Sequence, residues 1–155
     1  CTMRKTLQQR KETGFTIVEV LIVLAIAGLI ILVVLLAVPA LQRNGRNTSM
    51  KSDASAVAGG ISEFESNNDG AMPTAVAGTG TVAVSGGGTT TPTDAKVQGS
   101  TVVNSSANHT PAVGTISVDL QDKCTTTGNA NVRAAAVWYA IENSSATPQY
   151  KCIDS

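Results

Sequence analysis

Gly14, Phe15 and Glu19 are the residues whose types and spacing point to chemistry. The Gly14-Phe15 bond has a basic leader on one side, with Arg4, Lys5, Arg10 and Lys11, and an apolar run on the other. Cutting it would leave Phe15 with a free α-amino group, of pKa near ~8. Glu19 follows four residues later, just before the uncharged run Val20 to Val38. Two readings of this carboxylate stand open. In the first it is interfacial, since an acid in the first turn suits the positive end of the helix dipole. In the second it answers the Phe15 amine of a neighbouring subunit. A charge is costly in hydrocarbon and tolerable there when paired. Such a pair would fix subunit register more than it would add stability.

No other group points to catalysis. There is no nucleophile-base pair and no pocket-like clustering of carboxylates, so the reading is of a non-enzyme. His109 is the single histidine, in Asn108-His109-Thr110, with no Cys, Asp or Glu near it in sequence. It reads as a surface loop residue, and no metal site or cofactor is expected. Gly86-Gly87-Gly88 is not a phosphate loop, because no Gly-Lys-Ser/Thr follows and no helix begins there. From Phe15 onward the chain holds seven basic and ten acidic residues. That balance offers no basic face to nucleic acid, and 3% aromatics is too few for a stacking platform.

The elements that must position these groups follow from the apolar run. Val20 to Val38 is nineteen residues without Asn, Gln, Ser or Thr, enough to span a bilayer as a helix. A secretory signal would be cut after its apolar run. Here the cut falls before it, so the helix stays on the mature protein. Met3 is the expected start, and residues 1–14 read as a leader that keeps the basic end cytoplasmic. Residues 15–38 are apolar on all faces, which predicts burial all round. Pro39 is expected to kink or loosen the helix. Beyond it, residues 39–69 turn amphipathic. Ala54, Val57, Ala58, Ile61 and Phe64 form one stripe, with Arg43, Arg46, Lys51, Asp53, Glu63 and Glu65 largely off it. Gly70 is a stop signal; Gly45 and Gly59-Gly60 are weak points.

Gly14-Phe15-Thr16-Ile17-Val18-Glu19-Val20-Leu21-Ile22-Val23 resembles the prepilin signature of type IV pilins and pseudopilins. The resemblance covers roughly residues 10 to 70. It implies cleavage after Gly14 by a prepilin peptidase, N-methylation of Phe15, and helical assembly with Glu19 facing a neighbour's amine. Gly28 matches a glycine common in the family's helix, and Pro39 is similar to its helix proline but sits three residues later. The implied partners are identical subunits, the inner-membrane assembly machinery and, before assembly, the membrane itself. The implied location is a single pass in the cytoplasmic membrane, then an extracellular pilus. The alternatives are a pseudopilin of a type II secretion system and a single-pass anchored binding domain.

The rest of the chain is read from pattern. Residues 70–114 are Gly/Thr/Ser-rich and expected to be a variable loop region. Thr81 to Ser85 is a candidate exposed strand, and Lys96-Val97-Gln98 with Thr101-Val102-Val103 supplies another. Residues 115–155 hold three strand patterns, Thr115 to Leu120, Arg133 to Glu142 (whose alanines leave a helix open) and Gln149 to Ile153, with Trp138 expected in the core. Cys124 and Cys152 are the only cysteines after the leader. They are either a disulfide, readily formed outside the cytoplasm, or two free buried thiols. A bridge would resemble the disulfide-bounded C-terminal loop of many pilins, and closing that loop contributes ~3–4 kcal/mol in chain-entropy models. The expected fold is α+β, a long N-terminal helix packed by its second half on a small antiparallel sheet.

Overall fold

The computed structural model describes residues 14–88, 90–98, 101–124, 133–145 and 147–155. Apart from Gly14, the expected leader lies outside them. The chain divides into two compact units, Cys1–Pro39 and Ala40–Ser155.

One helix, α1 (Ile17–Asn67), begins in the first unit and ends in the second, with Pro39 inside it. Pro39 withholds the N–H that would bond the Leu35 carbonyl, yet the helix continues past it. In the first unit every described residue is exposed. The side chains that predicted burial all round are therefore bare in the single chain.

In the second unit, Met50, Ala54, Val57, Ala58, Ile61 and Phe64 of α1 are buried along one stripe. They pack on a seven-stranded sheet. Its strands are β1 (Ala75–Thr79), β2 (Thr81–Ser85), β3 (Thr93–Lys96), β4 (Val102–Ser105), β5 (Thr115–Leu120), β6 (Ala135–Ile141) and β7 (Gln149–Asp154), in the order β3-β2-β1-β4-β5-β6-β7. The sheet is α+β in class as expected, but larger than expected and not wholly antiparallel. Residues 70–114, expected to be a loop region with two candidate strands, hold four strands, and Val82 and Val84 of β2, expected to be exposed, are fully buried. β4 and β5 run parallel, and all other neighbours are antiparallel. Parallel neighbours need a connection that crosses a sheet face. α1 occupies one face, so residues 106–114 pass over the other. Pro111 is buried there, among the largest fully buried side chains.

Polar contacts fix α1 to the sheet. Asp53, expected off the apolar stripe, is buried, and its carboxylate accepts from Thr101 Oγ1 at 2.6 Å and from the Gln98 N–H at 3.1 Å. The Asn47 amide brackets the end of β6: Nδ2 donates to the Glu142 carbonyl and Oδ1 accepts from the Glu142 N–H, both at 2.7 Å. At the end of α1 the Gly70 N–H donates to the Glu65 carbonyl at 2.7 Å, with Asp69 and Gly70 at φ 55° and 77°. This left-handed stop closes the last turn. Asn68 donates to the Phe64 and Thr91 carbonyls and accepts from the Thr91 N–H, holding the β2–β3 connection to the helix end.

The paired glycines of α1 differ. A Cβ on Gly60 would lie 2.9 Å from the Ala95 Cβ of β3, whereas nothing stands within 4 Å of one on Gly59. Gly60→Val is expected to destabilise the domain by ~1–3 kcal/mol through overpacking. Gly59→Ala is expected to stabilise it by up to ~1 kcal/mol through helix propensity. Urea unfolding midpoints of the two variants check the opposite signs.

Arg46 and Glu142 form a two-point ion pair, Nε to Oε1 at 2.8 Å and Nη2 to Oε2 at 2.6 Å. The Arg46 hydrogen bond holds the Glu142 carboxyl below its ordinary range. A depressed carboxylate contributes stability that is present above its unfolded pKa and lost as pH falls through its folded value. Wild type and Glu142→Gln are therefore expected to differ at neutral pH and to converge below about pH 4. The pair is partly exposed, so the difference is small and shrinks with salt. Denaturation midpoints along a pH series check it.

Candidate functional site

The candidate site begins at the first turn of α1. With Ile17 as the first helical residue, Thr16 is the N-cap and Glu19 the third helical position. Glu19 Oε2 accepts from the Thr16 N–H at 2.8 Å and from Thr16 Oγ1 at 2.9 Å. The Glu19 N–H in turn donates to Thr16 Oγ1 at 3.3 Å. This is a reciprocal capping box, which satisfies two otherwise open N–H groups at the helix start. The sequence reading missed Thr16, although Thr-x-x-Glu before an apolar run is its recognised signal.

The cap uses only one carboxylate oxygen. Among the described residues Oε1 of Glu19 has no hydrogen-bond donor. Phe15 is 87% exposed, and Phe15, Glu19, Val20, Val23 and Leu24 line one shallow depression along the helix side. The lone acid thus sits in an apolar stripe with one oxygen committed locally and one open. The described N-terminal helix is long and apolar enough to cross a membrane, and none of its apolar window is buried.

The second candidate feature lies in the sheet unit. Cys124 and Cys152 are joined by a disulfide, with their Cα atoms 5.6 Å apart. The bond ties β7 to the chain just beyond β5. Asp154 Oδ1 accepts from the Cys124 N–H at 2.7 Å beside it.

His109 is not an isolated surface residue. The β4–β5 crossover carries it over the sheet face away from α1. There its Nε2 lies 3.2 Å from Asp119 Oδ2 and 3.7 Å from Asp122 Oδ2. Trp138 is half-buried on that same face rather than in the core under α1. Its ring centroid lies 4.8 Å from that of His109. Ten residues separate His109 from Asp119. Nothing in the local pattern signals that a parallel crossover brings them together, so a search for near neighbours in sequence could not find the cluster.

Residues 9–35 match the prokaryotic N-terminal methylation motif. No curated protein and no solved structure matches the chain. The motif is the hallmark of type IV pilin and pseudopilin precursors. It implies processing by prepilin peptidase and assembly into a pilus-like polymer, and with the apolar helix it is consistent with membrane anchoring before assembly.

Proposed function

We propose that this chain is a structural subunit of a type IV pilus. The leader is removed between Gly14 and Phe15, and the new Phe15 amine is methylated. The helix from Val20 to Val38 then leaves the membrane and packs against the same helix of identical subunits. Glu19 faces the Phe15 amine of a neighbour while Thr16 retains the other carboxylate oxygen. The sheet unit faces outward, closed by the Cys124–Cys152 bridge.

One observation carries this reading: a methylation motif heads a helix whose apolar side chains up to Val38 are all bare. Burying one such side chain contributes ~1.5–3 kcal/mol relative to leaving it in water. A lipid bilayer or a bundle of like helices satisfies that demand equally well, so transfer between them need not be uphill. An enzyme is not needed to explain any residue of the N-terminal segment.

The test is intact-mass and N-terminal analysis of material sheared from cells. The expected chain begins at Phe15 and is heavier by one methyl group. A chain that keeps its leader and stays in the membrane fraction would reduce it to an anchored domain. Processed subunits that never reach the cell exterior would move it to a secretion pseudopilus.

A further inference from the structure

The sheet face opposite α1 brings three metal-type donors together, none of them used by the N-terminal assembly chemistry. His109 comes from the β4–β5 crossover, Asp119 from β5 and Asp122 from the turn after it. Their donor atoms all lie within 4.8 Å of one another. The Trp138 ring lies against the imidazole, with centroids 4.8 Å apart and an interplanar angle of 35°. The three side chains are 29%, 17% and 7% exposed respectively.

Asp122 is the informative member. Its Oδ1 accepts from the Lys123 N–H at 2.8 Å. Its Oδ2 points at His109 Nε2 from 3.7 Å, too far for a hydrogen bond, and has no other donor among the described residues. The Asp122 side chain is 7% exposed as a whole, so this oxygen is free to accept a further ligand at the edge of the cluster. One imidazole proton cannot serve both acids: an Nε2–H aimed at Asp119 leaves Asp122 Oδ2 unserved. With the proton on Nδ1 instead, the Nε2 lone pair and both carboxylate oxygens converge, and a divalent cation answers all three.

The spacing and the donor set narrow the ion. Metal–N and metal–O bonds of ~2.0–2.2 Å in a tetrahedral site put neighbouring donors ~3.3–3.5 Å apart. The two acid oxygens lie 3.2 Å and 3.7 Å from His109 Nε2, on either side of that separation, and all three donor atoms fall within 4.8 Å of one another. Calcium takes six to eight oxygens and magnesium an octahedral, largely hydrated shell, whereas an imidazole nitrogen suits zinc, nickel or copper. The nearby Cys124, Cys152 and Asp154 group is no competitor, because its two sulphurs are bonded to each other. We propose that His109, Asp119 and Asp122 form a three-donor site for a divalent transition metal of the zinc class, with water completing the coordination. The site pins the crossover loop to the end of β5.

The full chain in detergent, stripped with EDTA and with its disulfide intact, is titrated with cobalt(II) and then zinc, followed by calorimetry and visible absorption. One cobalt per chain is expected, with ligand-field bands of a low-coordinate nitrogen–oxygen site that zinc abolishes. His109→Gln and Asp122→Asn are each expected to weaken binding by about 100-fold or more, with far-ultraviolet circular dichroism reporting the fold. Asp154→Asn is expected to bind like the wild type. The thermal midpoint of the unmutated chain is expected to rise with zinc and not with calcium or magnesium, a readout that needs no variant. The proposal is overturned by absence of stoichiometric binding below about 1 mM zinc, by preference for calcium, or by equal affinity in all variants.

Discussion

Glu19→Ala is expected to abolish fibre formation while leaving leader removal intact, the largest effect of any single substitution in the N-terminal unit. Alanine removes two functions at once, the cap on Thr16 and the charge offered to a neighbour. Glu19→Gln separates them. Its amide oxygen can still accept from the Thr16 N–H and hydroxyl, so the first turn of α1 is kept. The negative charge is gone, and a buried amine on the next subunit would be left without its counter-ion. If pairing drives assembly, Gln should fail nearly as badly as Ala. If Glu19 only caps its own helix, Gln should assemble like wild type. Electron microscopy of sheared fractions, together with N-terminal mass, reads both outcomes.

Phe64→Ala is expected to be the most destabilising change in the sheet unit. Phe64 is fully buried and heads the largest fully buried side chains. Its loss should cost ~3–5 kcal/mol, a large share of the ~5–15 kcal/mol that holds an ordinary domain together. Its ring also crowds Gly86, together with the Thr90 side chain. A Cβ on Gly86 would lie 2.7 Å from Phe64 Cζ. Gly86→Ala should therefore destabilise the wild type and cost clearly less when Phe64 is already Ala. Equal cost in both backgrounds would show that the ring does not enforce the glycine. A double-mutant cycle by urea unfolding measures this.

The parts of the molecule legible in sequence are those with a strong local period. The α1 stripe from Ala54 to Phe64 was readable because five apolar residues recur at helical spacing. β5, β6 and β7 were readable from alternation or from β-branched and aromatic content. β1 was not. Its sequence Ala-Val-Ala-Gly-Thr buries one large side chain, Val76, and its glycine at 78 has φ 151°. Such a strand is specified by its partners rather than by its own residues. Asp53 was misplaced for a related reason. A carboxylate beside an apolar stripe reads as solvated, and only the arrival of Thr101 and Gln98 from a distant loop makes its burial tolerable.

The same contrast governs the candidate sites. Gly14, Phe15 and Glu19 lie within six consecutive residues, so the methylation motif could be read directly. His109, Asp119 and Asp122 meet because β4 and β5 are parallel, a topological fact with no sequence period. Chemistry carried by a contiguous motif is legible from the chain, and chemistry carried by a crossover becomes legible once the sheet order is known.

The seven-stranded sheet is open, and that has a consequence for how copies of this chain can crowd together. β3 and β7 are its rims among the described residues, and a sheet rim presents backbone groups that invite a foreign strand to add on. Both are guarded: β3 is four residues long with Asp94 and Lys96 turned outward, and β7 carries exposed Lys151 and Asp154. Short length and charge disfavour ribbon-like stacking. However densely sheet units of this chain are gathered, the rims resist amyloid-type growth, and contact between copies is directed to other surfaces.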